Sequence, residues 1–429
     1  MRSGTTIEIA NSDGTGARQI VSVRGAQYPQ WSPDGRWLAY TAGGLFDTYQ
    51  IGIIDPDGQN RKQLTSFQGG SVFCLAWLPT SREIAFARSG PGEIDVGDLL
   101  TISLDAGELR RLTLLPKGVF TSCSVSADGK RLVGSIEDPD WEIWKAPLGG
   151  DPVSNGKAAV RLLDHAWEPM WIQVPRAGTL LFNSPATGIR NLWTLPLEGE
   201  GSPKQITFLS RPDISHAALS PDGARVVYVS AESGGGQIWL ANSDGSGARQ
   251  LTNNSATNFW PFWSPDGQSI AFASQSRSNS PDLWRVPAAG GEAVQITHGG
   301  GFRGDWSPDG SRIAYDIQVL QGSPREGDFQ STIEIADSST GKVQMTKHLK
   351  TALGSPVWSP DGKQLTATAL DNSVWLIDPQ TGQQRLVVQF PQGFVSIFRA
   401  AWTQDGKSVI VNRRERPSRV VLMENFWAR

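Results

Sequence analysis

The chain is predicted to be all-β, a single β-propeller of four-stranded antiparallel blades filling residues 1–429, with nine blades and an eight-bladed ring as the alternative. Three observations predict this. The 429 residues include 47 Gly, 27 Pro and 17 Trp against 4 Met, a mix suited to many short strands joined by tight turns. No segment holds helical periodicity for more than a turn or two. A Trp-anchored tetrad recurs every 43 to 52 residues, the spacing of units built from four short strands.

The tetrad is complete as "WSPDG" at Trp31, Trp263, Trp306 and Trp358. It is degenerate as "VSADG" at Val125, "LSPDG" at Leu219 and "WTQDG" at Trp402. At Trp77 ("WLPTSREIAF") and Trp171 ("WIQVPRAGTLLF") the Trp and the following strand remain without Asp-Gly. Each anchor ends a short first strand. A second strand returns from the turn ("RWLAYT", "EIAFAR", "RVVYVS", "SIAFAS", "RIAYDI", "SVIVNR"). After a variable loop comes a third strand ("EIWKAP", "NLWTLP", "QIWLAN", "DLWRVP", "SVWLID"), then a Gly-rich turn and a short fourth ("KQIT", "RQLT", "VQIT"). Three of the four alternate apolar and polar residues, the pattern of half-buried strands.

An Asp beside a Gly invites a reading as metal ligand or catalytic acid. Turn chemistry explains the tetrad better. Pro presets φ for the first corner of a type I turn, Asp bonds back to the backbone, and Gly takes the left-handed position that closes the hairpin. Turns scattered through nine repeats cannot serve one active site, so Asp266 and Gly267 are read as one hinge among nine. The "NSDGTGA" and "NSDGSGA" loops alternate Asn and Asp but lack the further carboxylates of a calcium loop. Seven Trp hold the anchor position, and Trp144, Trp193, Trp239, Trp284 and Trp375 share one third-strand position. All twelve are expected to pack between neighbouring blades.

These units resemble the TolB-type, WD40-like propeller repeat over essentially the whole chain, through "WSPDG", the "IAF" return strand, "DLW.V" and "QIT". The chain departs from TolB in lacking an N-terminal α/β domain and in having nine anchors. The tail "SRVVLMENFWAR" is similar to that of propeller domains joined to bacterial winged-helix regulators and Ser/Thr kinases. That resemblance implies a sensor or interaction module. The chain opens with segments like a third and a fourth strand ("TIEIAN", "RQIVS") and ends with first, second and third strands, so an N-terminal strand is expected to complete the last sheet.

A net charge of -3, with both signs mixed, leaves no footprint for nucleic acid. The densest basic run, "NRRERPSRV", carries a Glu and reads as a solvated hairpin. No apolar segment is long enough to insert directly into a membrane. The favoured compartment is extracytoplasmic, as part of a longer protein, with the cytoplasm as the alternative if Met1 is the true start. A monomer is expected. Cys74 and Cys123 lie on successive inner strands and are read as two reduced, buried thiols, with a disulfide as the alternative.

No Gly-x-Ser-x-Gly elbow, Walker loop, dinucleotide fingerprint or His-x-x-x-His pair is present. No cofactor and no metal are expected. In a propeller the innermost strands line one axial channel. Three residues before each anchor the repeats stop agreeing, presenting Tyr28, Cys74, Ser122, Glu168, His216, Trp260, Arg303, Ser355 and Arg399. Tyr28, Glu168, His216, Trp260, Arg303 and Arg399 are therefore the candidate ligand site at the channel mouth. The two arginines would offer bidentate forks to a carboxylate and Trp260 a stacking face. The expected function is a non-enzymatic sensor or scaffold that binds a protein segment or a small anionic ligand. The alternative is a channel-centred enzyme acting on sugar acids, as oligogalacturonate lyases do.

Overall fold

A computed structural model describes residues 5–23, 25–43, 49–67, 71–89, 96–105, 107–113, 118–138, 140–164, 167, 169, 172–174, 178–187, 190–197, 201–208, 216–230, 236–275, 281–318, 331–349, 352–369, 371–391, 396–415 and 418–424. In chain order the strands are β1 (Thr5–Ile9), β2 (Arg18–Val23), β3 (Gln27–Trp31), β4 (Leu38–Ala42), β5 (Gln50–Ile54), β6 (Lys62–Gln63), β7 (Val72–Trp77), β8 (Glu83–Arg88), β9 (Val96–Ser103), β10 (Leu109–Arg111), β11 (Gly118–Val125) and β12 (Arg131–Glu137). β13 (Asp140–Pro147), the short helix α1 (Pro152–Lys157) and β14 (Val160–Leu163) follow. Next come β15 (Ile172–Gln173), β16 (Thr179–Ser184), β17 (Asn191–Pro196) and β18 (Lys204–Gln205), then β19 (Ala217–Leu219), β20 (Arg225–Ser230), β21 (Gln237–Asn242) and β22 (Arg249–Gln250). The last are β23 (Thr257–Trp263), β24 (Ser269–Gln275), β25 (Asp282–Pro287), β26 (Val294–Gln295), β27 (Gly304–Trp306), β28 (Arg312–Gln318), β29 (Ser331–Asp337), β30 (Val343–Leu349), β31 (Ala352–Trp358), β32 (Leu365–Ala369), β33 (Ser373–Ile377), β34 (Gln384–Gln389), β35 (Ser396–Trp402), β36 (Ser408–Glu415) and β37 (Ser418–Glu424).

The chain forms two compact units, residues 1–139 with 416–429, and residues 140–415. In the second unit β15–β18, β19–β22, β23–β26, β27–β30 and β31–β34 are consecutive four-stranded antiparallel sheets, and a sixth has the order β35–β36–β13–β14. The inner strands β15, β19, β23, β27, β31 and β35 touch one another in cyclic order, β35 meeting β15 again. Among the described residues this ring holds six sheets, and its closure differs from the expected one. β36 pairs with β13 along eight positions, Asp140↔Glu415 to Pro147↔Ser408, whereas β1 has only five residues. Side chains seal the pairing: the Arg413 guanidinium lies 4.5 Å from the Trp144 ring and that of Arg414 5.2 Å from Trp141. Arg413 and Arg414 are therefore buried, which corrects the reading of "NRRERPSRV" as solvated. Their charges sit on a central strand, against aromatic faces.

The first unit is a stack. β3–β6 form one sheet, β1 and β2 pair with each other and with no other described strand, and β7–β10 join β11–β12–β37 through a short parallel contact of β9 with β11. Apolar clusters fill the spaces between consecutive sheets. Cys74 on β7 and Cys123 on β11 form a disulfide, with Cα atoms 5.9 Å apart. The expectation of two free thiols is thus corrected. Adjacent inner strands bring the two Cα atoms within bridging range.

The tetrads are turns. In the repeat at Trp263, Ser264 Oγ donates to Asp266 Oδ1 (2.6 Å), which also accepts the Gln268 N–H (3.0 Å). Gly267 N–H donates to the Ser264 carbonyl at 2.9 Å, and Gly267 has φ 66°. In the "WLPTS" copy Ser81 takes the left-handed place of the glycine, at φ 58°. The carboxylates of Asp13 and Asp244 in the Asn/Asp loops accept hydrogen bonds from Thr15 and Ser246 of the same loops.

Candidate ligand-binding site

At three of the irregular positions, three residues before an anchor, the backbone is itself unusual. Tyr28, Trp260 and Ser355 adopt φ of 52°, 54° and 60°, left-handed values that bulky residues rarely take. Each precedes a proline (Pro29, Pro261, Pro356). Proline has no N–H for the ladder, and the register shifts in all three strands, as it does without proline in β7, β11 and β35. A proline two residues before the Trp marks the three copies with a left-handed φ, not the register shift itself.

In the second unit this position gathers several of the expected residues. The His216 and Trp260 rings lie 3.8 Å apart, and the Arg303 guanidinium is 5.9 Å from the Trp260 ring. His216 Nδ1 is buried with no hydrogen-bond partner among the described residues. Burial, reinforced by the Arg303 charge, pushes the imidazole down to about 3. Arg303 gives its fork to Asp316 on β28: Nη2 and Nε donate to Oδ2 at 2.6 and 3.2 Å, and the Arg303 N–H donates to Oδ1 at 2.7 Å. Both side chains are buried. Gly354 lies against this carboxylate, where a Cβ would come within 2.6 Å of Asp316 Oδ2.

Arg399 differs. Its N–H donates to Asn412 Oδ1 (3.1 Å), yet its side-chain Nε has no partner among the described residues. Burial pulls the guanidinium below its ordinary value; Asp305 and Asp316 oppose that shift and Arg303 adds to it. Arg399 also lines an axial cavity of about 140 Å³ to which all six sheets of the unit contribute. Anchors Trp263, Trp306, Trp358 and Trp402 and turn prolines Pro221, Pro265, Pro308 and Pro360 form its wall. Asp305 and Gln173 bind neighbouring strands there, Oδ2 of Asp305 accepting the Trp358 N–H (2.9 Å) and Oε1 of Gln173 the Leu219 N–H (2.8 Å).

Of the six expected site residues, Arg399 lines this cavity. His216, Trp260 and Arg303 cluster with one another but are not in its wall. Tyr28 belongs to the first unit, and Glu168 lies outside the described residues, as do Trp171 and Trp427. The expected pair of open arginine forks becomes one. Sequence reasoning missed Asp305, Asp316 and the ring of anchor tryptophans and turn prolines. The repeat itself marks the last group, whose tryptophans are expected to pack between blades and whose prolines are expected to form turns. Among the described residues no three His, Cys, Asp or Glu side chains are placed to hold a metal ion.

The fold and cavity define an all-β propeller protein. Residues 204–325 match the TolB beta propeller domain family, and the repeats of this chain are of the TolB type. The solved structure described as TolB from Agrobacterium tumefaciens superposes with a TM-score of 0.50 at 20% identity, covering 65% of this chain and 99% of that one. Protein Atu1656 of Agrobacterium fabrum is 28% identical over 64% of this chain and 93% of its own length. Dipeptidyl-peptidase 5 of Porphyromonas endodontalis is 26% identical over 59% of this chain, which spans 38% of the peptidase. The Tol-Pal system protein TolB of Anaeromyxobacter dehalogenans is 28% identical over 51% of this chain and 52% of its own.

Proposed function

We propose that the protein is a non-enzymatic binding module, a sensor or scaffold that takes a protein segment or small anionic ligand at the axial cavity of its second unit. Arg399 carries the reading. It is a guanidinium in a cavity wall, with an Nε that no described residue satisfies, beside tryptophan and proline surfaces. A carboxylate adjoining an apolar or ring-bearing group suits that combination: the charge meets the arginine and the body lies on the apolar wall. The disulfide agrees with an extracytoplasmic location, because such bonds persist in oxidising compartments.

Thermal shift measurements with carboxylate-bearing peptides and sugar acids test the site. A ligand raises the melting temperature by mass action. Arg399→Ala should weaken binding by about 10- to 100-fold, the loss of one charged hydrogen bond of about 1.5–3 kcal/mol, with little change in the unliganded protein. Arg303→Ala should instead destabilise by about 3–5 kcal/mol, because it strands Asp316 in the interior. Ligand stabilisation that survives Arg399→Ala sinks the proposal.

A further inference from the structure

The ring of the second unit closes on itself, but the stack of the first unit has two ends. At its internal junction Trp77 Nε1 donates to the Gln30 carbonyl at 2.9 Å, and the ring is buried. The second unit repeats this latch, with Trp263 on Ala218 (3.0 Å) and Trp402 on Val357 (3.2 Å). Trp31 stands in the same motif without it among the described residues. The sheet before it is only β1–β2, which packs on Leu38, Tyr40 and Ile54. All of β3 is exposed, Trp31 by 46%.

At the other end Leu132, Ile136, Val421 and Met423 face β7–β10. Val133, Val420 and Leu422 therefore point outward and are 41%, 76% and 60% exposed. Val133 and Leu422 are register partners. Each end also has an open strand edge among the described strands: β1 pairs only with β2, and β37 only with β12.

We propose that the two ends are complementary and that this chain associates head to tail with a second copy. The face of Val133, Val420 and Leu422 on one copy receives Tyr28 and Trp31 of the next, while the edge of β37 runs along that of β1. The contact continues the one the stack already makes internally, an apolar sheet face against a Trp-bearing inner strand. The two edges differ in charge: β1 exposes Glu8, whereas β37 exposes Arg419, which ion-pairs with Asp138 of its own copy at 3.3 Å, and Glu424. Unpaired edges bearing Val and Leu invite such pairing. Because the two patches differ, the interface is heterologous.

Sedimentation velocity on the full chain over a concentration series tests this. The weight-average mass of the unaltered chain is expected to rise past twice the chain mass. Trp31→Lys breaks the head and Leu422→Lys the tail. Each variant should stay monomeric and keep the unaltered melting temperature, which shows that it folds; Val420→Lys is a second tail variant. An equimolar mixture of head and tail variants should give a species of twice the chain mass and nothing larger, because one intact tail meets one intact head. An unaltered chain that is monomeric throughout, a mixture that stays monomeric, or oligomers that persist in both variants overturn the proposal.

Discussion

His216 shows what one buried side chain does to the pH response. Its ring sits 3.8 Å from Trp260, and its pKa in the fold is about 3 against about 6.5 in an unfolded chain. The unfolded state therefore takes up the proton first. Stability from this group is intact above about pH 6.5 and falls as the pH drops towards 3, by at most about 1.4 kcal/mol per unit. Urea midpoints should drop between pH 7 and pH 5, and the drop should shrink in His216→Phe. An equal drop in both proteins would assign the loss elsewhere. The turn aspartates act mainly below about pH 4, where unfolded carboxylates take up protons while hydroxyl and backbone hydrogen bonds hold the folded ones low, Asp309 at about 2 through Ser307 and Ser311. His216 could be singled out in the sequence because the repeats disagree there. The capture of Arg303 by Asp316 could not, since the carboxylate comes from the next strand, 13 residues on.

Between sheets, the anchors Trp77, Trp263 and Trp402 do two jobs: each fills the gap and its indole N–H bonds the previous inner strand, whereas Trp358 fills the gap with its Nε1 buried and unpartnered among the described residues. Trp263→Phe keeps most of the packing but leaves the buried Ala218 carbonyl without its donor. The expected loss is about 1–3 kcal/mol. Trp31→Phe removes no latch among the described residues and should stay within about 0.5 kcal/mol of the original at low protein concentration. Chemical denaturation of the two variants compares them, and equal losses would refute the latch. The turns and most strands were legible in the sequence because a two-residue period and the Ser-Pro-Asp-Gly chemistry are local. Which anchor finds a sheet in front of it is not local, so Trp31 and Trp263, identical in motif, end with opposite exposure.

Across the molecule, the stack and the ring are stabilised differently. The ring gains from closure, whereas the stack carries the disulfide between Cys74 and Cys123, 49 residues apart. By chain entropy such a crosslink contributes about 4 kcal/mol. Reduction, or Cys123→Ser, should lower the calorimetric transition of the first unit and leave that of the second in place; a transition unmoved by reductant would contradict this. Sequence alone determined the all-β class, the repeat, its turns and the position where repeats diverge, because strand alternation and turn chemistry are written within a few residues. Tertiary structure decided which strands complete the ring, that the cysteines bond, and that Arg399 rather than Arg303 keeps an unsatisfied guanidinium in the cavity. Those outcomes rest on competition between distant partners. β36 pairs over eight positions with β13, and no local pattern shows that a five-residue strand 400 positions away will not take its place.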